Sequence, residues 1–230
     1  MKVIGVDPGF GGGICILDGD KIFIYDIPLI EMVKNGKKKR KYDSLGIVDT
    51  IKSHLENNKN VLCGIELVHS NPGEGSVSSF NFGRGLGVLE GILAALTSSE
   101  PASISPQSWK KYYPELETSE IAQTREDQKK VSEELRIVEK QNKTVKDKDI
   151  KNSNKIKLKE LKKDADRLGR QIKSLSKDAS RAMALKLAPN FAEDFKLKKN
   201  DGRAESLLIA NYLRSNYELV QEGGEGEEDD

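Results

Sequence analysis

The sequence has few of the residues that build disulfide frameworks and zinc sites: two cysteines and two histidines in 230 residues. Cys15 and Cys63 each lie in a strand-like apolar run without a spaced cysteine motif, so we expect two buried free thiols. No apolar run approaches the ~20 residues that cross a bilayer, and Met1 leads into a short strand pattern rather than a signal peptide. These absences predict an intracellular, cytoplasmic protein with no membrane partner.

Charged residues, in contrast, are abundant. They form 33% of the chain against 36% hydrophobic residues, and the formal net charge is +1. Residues 222–230 are only Gly, Glu and Asp, so an acidic tail offsets a basic excess in the rest of the chain. Local basic patches of that kind attract phosphate backbones whatever the net charge. The length predicts one good-sized domain plus an appendage.

The order of short apolar runs and amphipathic stretches predicts an α/β fold with a mixed sheet. A tight Asp-Gly turn between the second and third strands favours an antiparallel hairpin. Strands are predicted at 2–7, 13–17, 21–27, 60–66 and 102–105. Helices are predicted at 43–57, at 79–96, from Pro106, at 177–187, and from Asp201 to about Arg214.

One stretch, 117–176, differs in composition from the rest because it is rich in Lys, Glu, Asp, Gln and Asn. Its sparse apolar residues predict two narrow-seamed helices that fold back as an antiparallel, coiled-coil-like hairpin with a tip at 142–154. We therefore predict a core formed by 1–116 and 177–217, the inserted charged helical hairpin at 117–176, and a disordered acidic tail at 218–230.

Four carboxylates carry the prediction of a functional site. Asp7 and Glu66 each end an apolar strand, at the edge where open α/β sheets bind ligands. Asp201 and Glu205 share one face of the first turn of the last helix. Acids without a His or Cys cluster favour Mg²⁺ or Mn²⁺ over zinc. Two Mg²⁺ ions bridged by carboxylates are suited to phosphodiester hydrolysis.

Each acid also has a structural interpretation. Asp7 precedes Pro-Gly and fits a turn, Asp201 fits an N-cap, and Glu205 fits the first turn of any helix. Glu66 is more informative, because Glu is unfavourable in an apolar strand. The prediction of a metal site depends on their joint placement.

Six segments resemble, in the same order, the RuvC-type Holliday junction resolvases, nearest to their phage, viral and chloroplast members. They are spread over the whole chain apart from the charged insert and the tail. The segments are GVDPGFGGG (5–13), GIE (64–66), SFNFGRGLGVLEGIL (79–93), SPQSWKKYY (105–113), SKDASRAMALKLAP (176–189) and DGRAESLLIANY (201–212).

The resemblance implies a ribonuclease-H-like fold and a homodimeric endonuclease of DNA recombination and repair that nicks four-way junctions symmetrically. Asp7, Glu66, Asp201 and Glu205 take the places of the catalytic, metal-binding acids, with two Mg²⁺ per site and Mn²⁺ as a substitute. Bacterial members carry Asp three residues after the first helix acid, whereas Glu205 follows Asp201 by four, as in the chloroplast and viral variant. A phage or viral protein acting in its host cell would fit this resemblance.

Basic residues in these segments are candidates for contact with DNA. Lys177 and Lys110 fall where the family has basic residues near the scissile phosphate. The resemblance favours Lys177 as a catalytic residue and Lys110 more weakly, since Lys111 competes with Lys110 for that role. A lysine there would stabilise developing charge. Arg84 is a candidate phosphate contact in a glycine-rich helix that the family uses as its dimer interface. A solvated surface residue is the alternative for each.

Three further features could bind DNA or a partner. Bacterial members insert an aromatic residue soon after the strand-ending Glu; here His69 could stack on a base or be an ordinary loop residue, and Phe80 and Phe82 are other wedge candidates. The loop at 34–41, including Lys38, Lys39 and Arg40, could grip a duplex arm, aid solubility or act as a nuclear-localisation signal. The hairpin tip could contact DNA or a protein partner, or be a solvated spacer.

The leading prediction is therefore a junction-resolving endonuclease. A broader nuclease acting on flaps and forks would use the same acids, and a non-catalytic junction-binding protein would use the same surface. An actin-like or sugar-kinase ATPase would need a second phosphate loop and a longer chain, neither of which the sequence has.

Overall fold

The computed structural model describes residues 1–34, 36–55, 61–69 and 75–224. The chain divides into two compact units. The core unit consists of 1–114 and 180–230, and the hairpin unit consists of 115–179. The sequence placed these boundaries at 116/117 and 176/177, a few residues away.

A five-stranded mixed sheet forms the centre of the core unit, in the order β3-β2-β1-β6-β7. β1 pairs antiparallel with β2 and parallel with β6, β2 pairs antiparallel with β3, and β6 pairs parallel with β7. The predicted α/β class, a mixed sheet flanked by helices, is confirmed. The strands are β1 (Lys2–Asp7), β2 (Gly13–Asp18), β3 (Lys21–Asp26), β6 (Val61–Glu66) and β7 (Ala102–Ile104).

Helices cover both faces of this sheet. On one face, Ile4 and Ile16 pack with Leu89 of the helix α2 (Ser76–Thr97). On the other face, Val3 packs with Leu207 of the helix α7 (Asp201–Gly224). The free thiols of Cys15 and Cys63 are buried in these two layers, as predicted. The core-unit helices are α1 (Ser44–Lys52), α2 (Ser76–Thr97), α3 (Pro106–Tyr112), α6 (Ala192–Phe195) and α7 (Asp201–Gly224), with short 3₁₀ turns at Pro189–Phe191 and Lys198–Asn200. None of the described helices is long and apolar enough to span a membrane.

Glycines allow α7 to approach the sheet at backbone contact. A Cβ atom at Gly5 would collide with the backbone of Ser206 and Ala210, and one at Gly13 would collide with Gly202. Gly202 also forms a parallel bridge with Gly12. These contacts hold the first turns of α7 against β1 and β2.

The sequence predicted a loop at 34–41, whereas the described residues of this basic run belong to an antiparallel hairpin. β4 (Leu29–Lys34) pairs with β5 (Lys37–Tyr42), and Gly36 adopts the positive φ of 70° that such a turn requires. Most described side chains of this two-stranded sheet are exposed, so β5 lacks the apolar alternation that reveals a half-buried strand.

The hairpin unit contains α4 (Ser119–Thr144), the 3₁₀ turn Pro114–Leu116 at its start, and the first part of α5 (Lys148–Leu187). The predicted tip at 142–154 was too long, because helical residues extend to Thr144 and resume at Lys148. Asp147 caps α5 by accepting hydrogen bonds from the backbone of Asp149 (2.8 Å) and Ile150 (3.1 Å). The separate helix predicted at 177–187 is also wrong: α5 continues unbroken to Leu187.

The last helix is longer than the sequence predicted. α7 continues to Gly224, beyond the predicted end at about Arg214, and includes the first part of the predicted tail. Residues 225–230 of that tail lie outside the described residues.

Candidate active site

The two central parallel strands bring Asp7 and Glu66 to one edge of the sheet. The pairing between β1 and β6 ends with Val6 beside Ile65. The next residue is Asp7 in β1 and Glu66 in β6. Glu66 is only 9% exposed and Asp7 is partly buried. The structure therefore brings these acids together at the carboxyl edge, as their positions in sequence predicted.

An arginine clamp fixes the start of α7, which carries Asp201 and Glu205. Arg203 donates to both carboxylate oxygens of Asp26 at the end of β3 (2.6 and 2.7 Å) and to Asp194 of α6 (2.7 Å). The hydrogen bonds with Arg203 lower the pKa of Asp26, and those with Asp26 raise the pKa of Arg203. With the glycine contacts, this clamp holds the first turn of α7 at the sheet edge.

Asp7 belongs to a cluster of four acids, because the charges of the other three act on its carboxyl group. Its pKa is raised well above the usual value, first by burial and then by the charges of Glu205, Glu66 and Asp201. Lys110 is the cation that partly offsets this repulsion. Acids from β1, β6 and α7 thus share one electrostatic environment, although they are far apart in sequence.

Glu205 is held within the same cluster. Burial and the charges of Glu66 and Asp201 raise its pKa, while Lys110 and a hydrogen bond from Ser180 oppose that rise. The Ser180 hydroxyl donates to Glu205 Oε1 at 3.1 Å, and Ser180 itself is 1% exposed. Ser180 lies in the resembling segment 176–189, but its contact with Glu205 did not follow from the sequence.

Trp109 is a second residue of the site that sequence reasoning missed. Its indole Nε1 donates to Glu66 Oε1 at 2.9 Å, and its side chain is fully buried. Lys110 places its Nζ 4.9 Å from the centre of the Trp109 ring. The available signal was that the only tryptophan of the chain precedes two lysines in a resembling segment.

The other predicted DNA contacts are distributed over several elements. Lys111 is exposed on α3, and Arg84 is exposed on α2. His69 is exposed and lines a cavity of about 390 Å³ with Leu67, Val68, Ser78, Phe82, Pro106 and Gln107. Lys177 belongs to the hairpin unit, three residues before Ser180 along α5. The exposed basic residues of β5 include Lys38, Lys39 and Arg40.

The donor set fits a hard divalent cation. The clustered groups are all carboxylates, the ligands that Mg²⁺ prefers. A cation would offset the repulsion that raises the pKa of Asp7. As placed, no three acidic, His or Cys side chains of the described residues are arranged to hold a metal ion.

The fold and the site define an α/β protein with four clustered acids at the carboxyl edge of a mixed sheet. No known protein-family model and no curated protein sequence matches the chain.

Proposed function

We propose that this protein is a Mg²⁺-dependent DNA endonuclease of the ribonuclease-H-like fold that cuts four-way junctions as a homodimer. The observation that carries the proposal is the cluster of Asp7, Glu66, Asp201 and Glu205, drawn from three separate elements into one environment. Buried like charges destabilise a fold, so a cluster of this kind is typical of a functional site.

The donor chemistry supports a metal-dependent hydrolysis. When bound, a pair of Mg²⁺ ions would supply an activated water and neutralise charge on the phosphate. Asp7, Glu66, Asp201 and Glu205 are the residues that would hold them, and Mn²⁺ could substitute. The protein contributes carboxylates whose positions are constrained by Trp109 and Ser180.

Lys110 is the basic residue that the geometry favours for transition-state stabilisation. Its charge acts on both Asp7 and Glu205, and its ammonium lies over the Trp109 ring. A cation at that position would stabilise negative charge as it develops on the phosphate. Lys111, the next residue, is exposed and has the weaker claim.

An exposed basic surface supports nucleic acid as the substrate. β5 presents Lys38, Lys39 and Arg40, and α2 presents Arg84. These side chains could neutralise backbone phosphates and make binding strongly salt-dependent. The hairpin unit could add a contact with DNA or with a protein partner.

The ribonuclease-H-like fold and the choice of a four-way junction rest on the resemblance to RuvC-type resolvases. The strand order and the six resembling segments, GVDPGFGGG among them, are the features in its favour. A nuclease with broader specificity for flaps and forks remains the second candidate, because the same acids would serve it.

The test is cleavage of a synthetic four-way junction, a matched fork and a linear duplex, with and without Mg²⁺. We expect paired symmetric nicks only in the junction, and a loss on the order of 10³-fold in Glu66→Gln. Glu100→Gln is the matched control, because Glu100 is an exposed acid outside the cluster.

The same cleavage assay distinguishes the alternative functions. Equal cutting of forks and junctions would favour the broader nuclease. Tight binding of the junction without metal-dependent cutting would indicate a non-catalytic binding protein. Equal cutting by wild type and Glu66→Gln would show that this cluster is not the active site.

A further inference from the structure

A second cavity of about 310 Å³ lies beside the carboxylate cluster, and none of the roles above uses it. It is enclosed by the turn after β1, the end of β5 and the first turns of α2. Its lining residues are Gly9, Phe10, Tyr42, Ser78, Asn81 and Phe82. This volume can accommodate one flat ring system.

Aromatic rings form much of the wall. The ring centres of Phe10 and Tyr42 are 5.2 Å apart with a 56° tilt, and the guanidinium carbon of Arg40 lies 5.4 Å from the centre of the Phe10 ring. Phe10 is nevertheless 40% exposed. Proteins that bind single-stranded nucleic acids use exposed aromatic rings and neighbouring arginines of this kind to stack the bases.

The rim of the cavity adds hydrogen-bonding groups. Asn81 is exposed and its amide offers both donors and an acceptor, the pattern that pairs with the edge of a nucleobase. Ser78, on the same helix, also lines the cavity. An apolar side chain of a protein partner would leave these polar groups without a role.

The cavity adjoins the reacting centre. Gly9 follows Asp7 by two residues and its backbone is hydrogen-bonded to Tyr42, which also feels the charge of Asp7. A nucleotide whose phosphate lies at the acids would therefore have its base, or that of its neighbour, within reach of this wall.

We propose that this cavity binds one unpaired nucleobase of the cut strand, stacked on Phe10 with its edge on Asn81. The proposal rests on the proposed function and adds how the site selects a distorted or branched strand. A base leaves its stack most easily where pairing is already interrupted, as at a branch point. The pocket would thus favour branched DNA over an intact duplex.

The test is binding of the full-length protein to four-way junctions without divalent ions, so that cleavage plays no part. The junctions carry 2-aminopurine, a fluorescent base, at successive positions near the crossover. We expect one position to change fluorescence on binding by wild type. Phe10→Ala should weaken binding by about 5- to 150-fold, the usual effect of losing one base-stacking ring, and remove that fluorescence change.

Two variants and a control keep the result interpretable. Phe10→Tyr retains a flat ring and should bind as wild type does. Asn81→Ala should weaken binding while the helix remains intact, as circular dichroism would check. Leu45→Ala removes an apolar side chain outside the cavity that is even more exposed than Phe10, and should have no effect.

Binding and fluorescence unchanged in both Phe10→Ala and Asn81→Ala would overturn the base-binding proposal, while junction cleavage by the same proteins would leave the nuclease assignment intact. If the wild-type protein neither binds nor cuts DNA, the proposed function fails and this inference fails with it.

Discussion

The core unit and the hairpin unit use charged residues in opposite ways. In the core, Glu66 is almost fully buried and accepts a hydrogen bond from a fully buried tryptophan. In the hairpin, Lys157 and Glu134 form an ion pair of 2.7 Å although about half of each side chain is exposed. A carboxylate is therefore buried and held by a specific hydrogen-bond donor in the core unit, whereas in the hairpin unit it remains largely exposed to solvent.

The difference shows which charges are informative about function. A buried carboxylate costs stability unless partners or a cation compensate it, so its presence requires a reason. An exposed ion pair contributes little and is compatible with many sequences. Variants that lack one charge or one hydrogen-bonding partner test this difference between the two units.

The largest effect on stability is expected for Trp109→Phe. The substitution removes the donor to Glu66 and leaves a small gap, which should lower the free energy of unfolding by about 2–4 kcal/mol. Because Glu66 would lose its orientation, junction cleavage should fall roughly 10- to 100-fold. Urea unfolding and single-turnover cleavage measure the two effects.

Tyr112→Phe, a half-exposed aromatic on the same helix, is the control and should change neither quantity appreciably. Unaltered cleavage in Trp109→Phe would mean that the hydrogen bond to Glu66 does not matter for the site.

A smaller effect, opposite in sign, is expected for Asp7→Asn. Without divalent ions the variant should be more stable than wild type by about 0.5–2 kcal/mol, because it removes the charge that burial and neighbouring acids disfavour. Added Mg²⁺ should raise the Tm of wild type and not that of the variant. Thermal unfolding with and without Mg²⁺ provides the measurement.

The pH dependence has a defined sign. The folded pKa of Asp7 is raised, so above the ordinary value of 3.8 the native state retains a proton that the unfolded state has lost. The stability of the metal-free wild type should therefore fall as the pH rises from about 4 through the folded pKa, and less steeply in Asp7→Asn. A wild-type protein that gains stability over that window would contradict the raised pKa.

Local sequence patterns predicted the core but not the contacts between its elements. Asp7 and Glu66 could be placed because each directly ends an apolar run, and strand ends of parallel neighbours share an edge. The hydrogen bond from Trp109 could not be predicted, since it depends on how α3 packs over β6. The choice between Lys110 and Lys111 likewise depends on which face of that helix is turned towards the acids.

The wrong boundaries arose where solvated residues carry no periodic signal. The basic strand β5 looks like a loop because a mostly exposed two-stranded hairpin needs no buried face. The hairpin tip was predicted too long because Asn152, Ser153 and Asn154 have low helix propensity, although they lie within α5 in the structure. In both places the hydrophobic pattern does not mark where the strand or helix begins and ends.

The smallest effect is expected in the hairpin unit. A double-mutant cycle with Glu134→Gln and Lys157→Gln should give a coupling energy of about 0.5 kcal/mol at low salt. At about 1 M salt the coupling should approach zero, since exposed charges are screened within a few ångströms. Urea unfolding followed by helical circular dichroism measures the cycle. A coupling that persists at high salt and exceeds about 1.5 kcal/mol would mean that the hairpin, like the core, depends on specific charge partners.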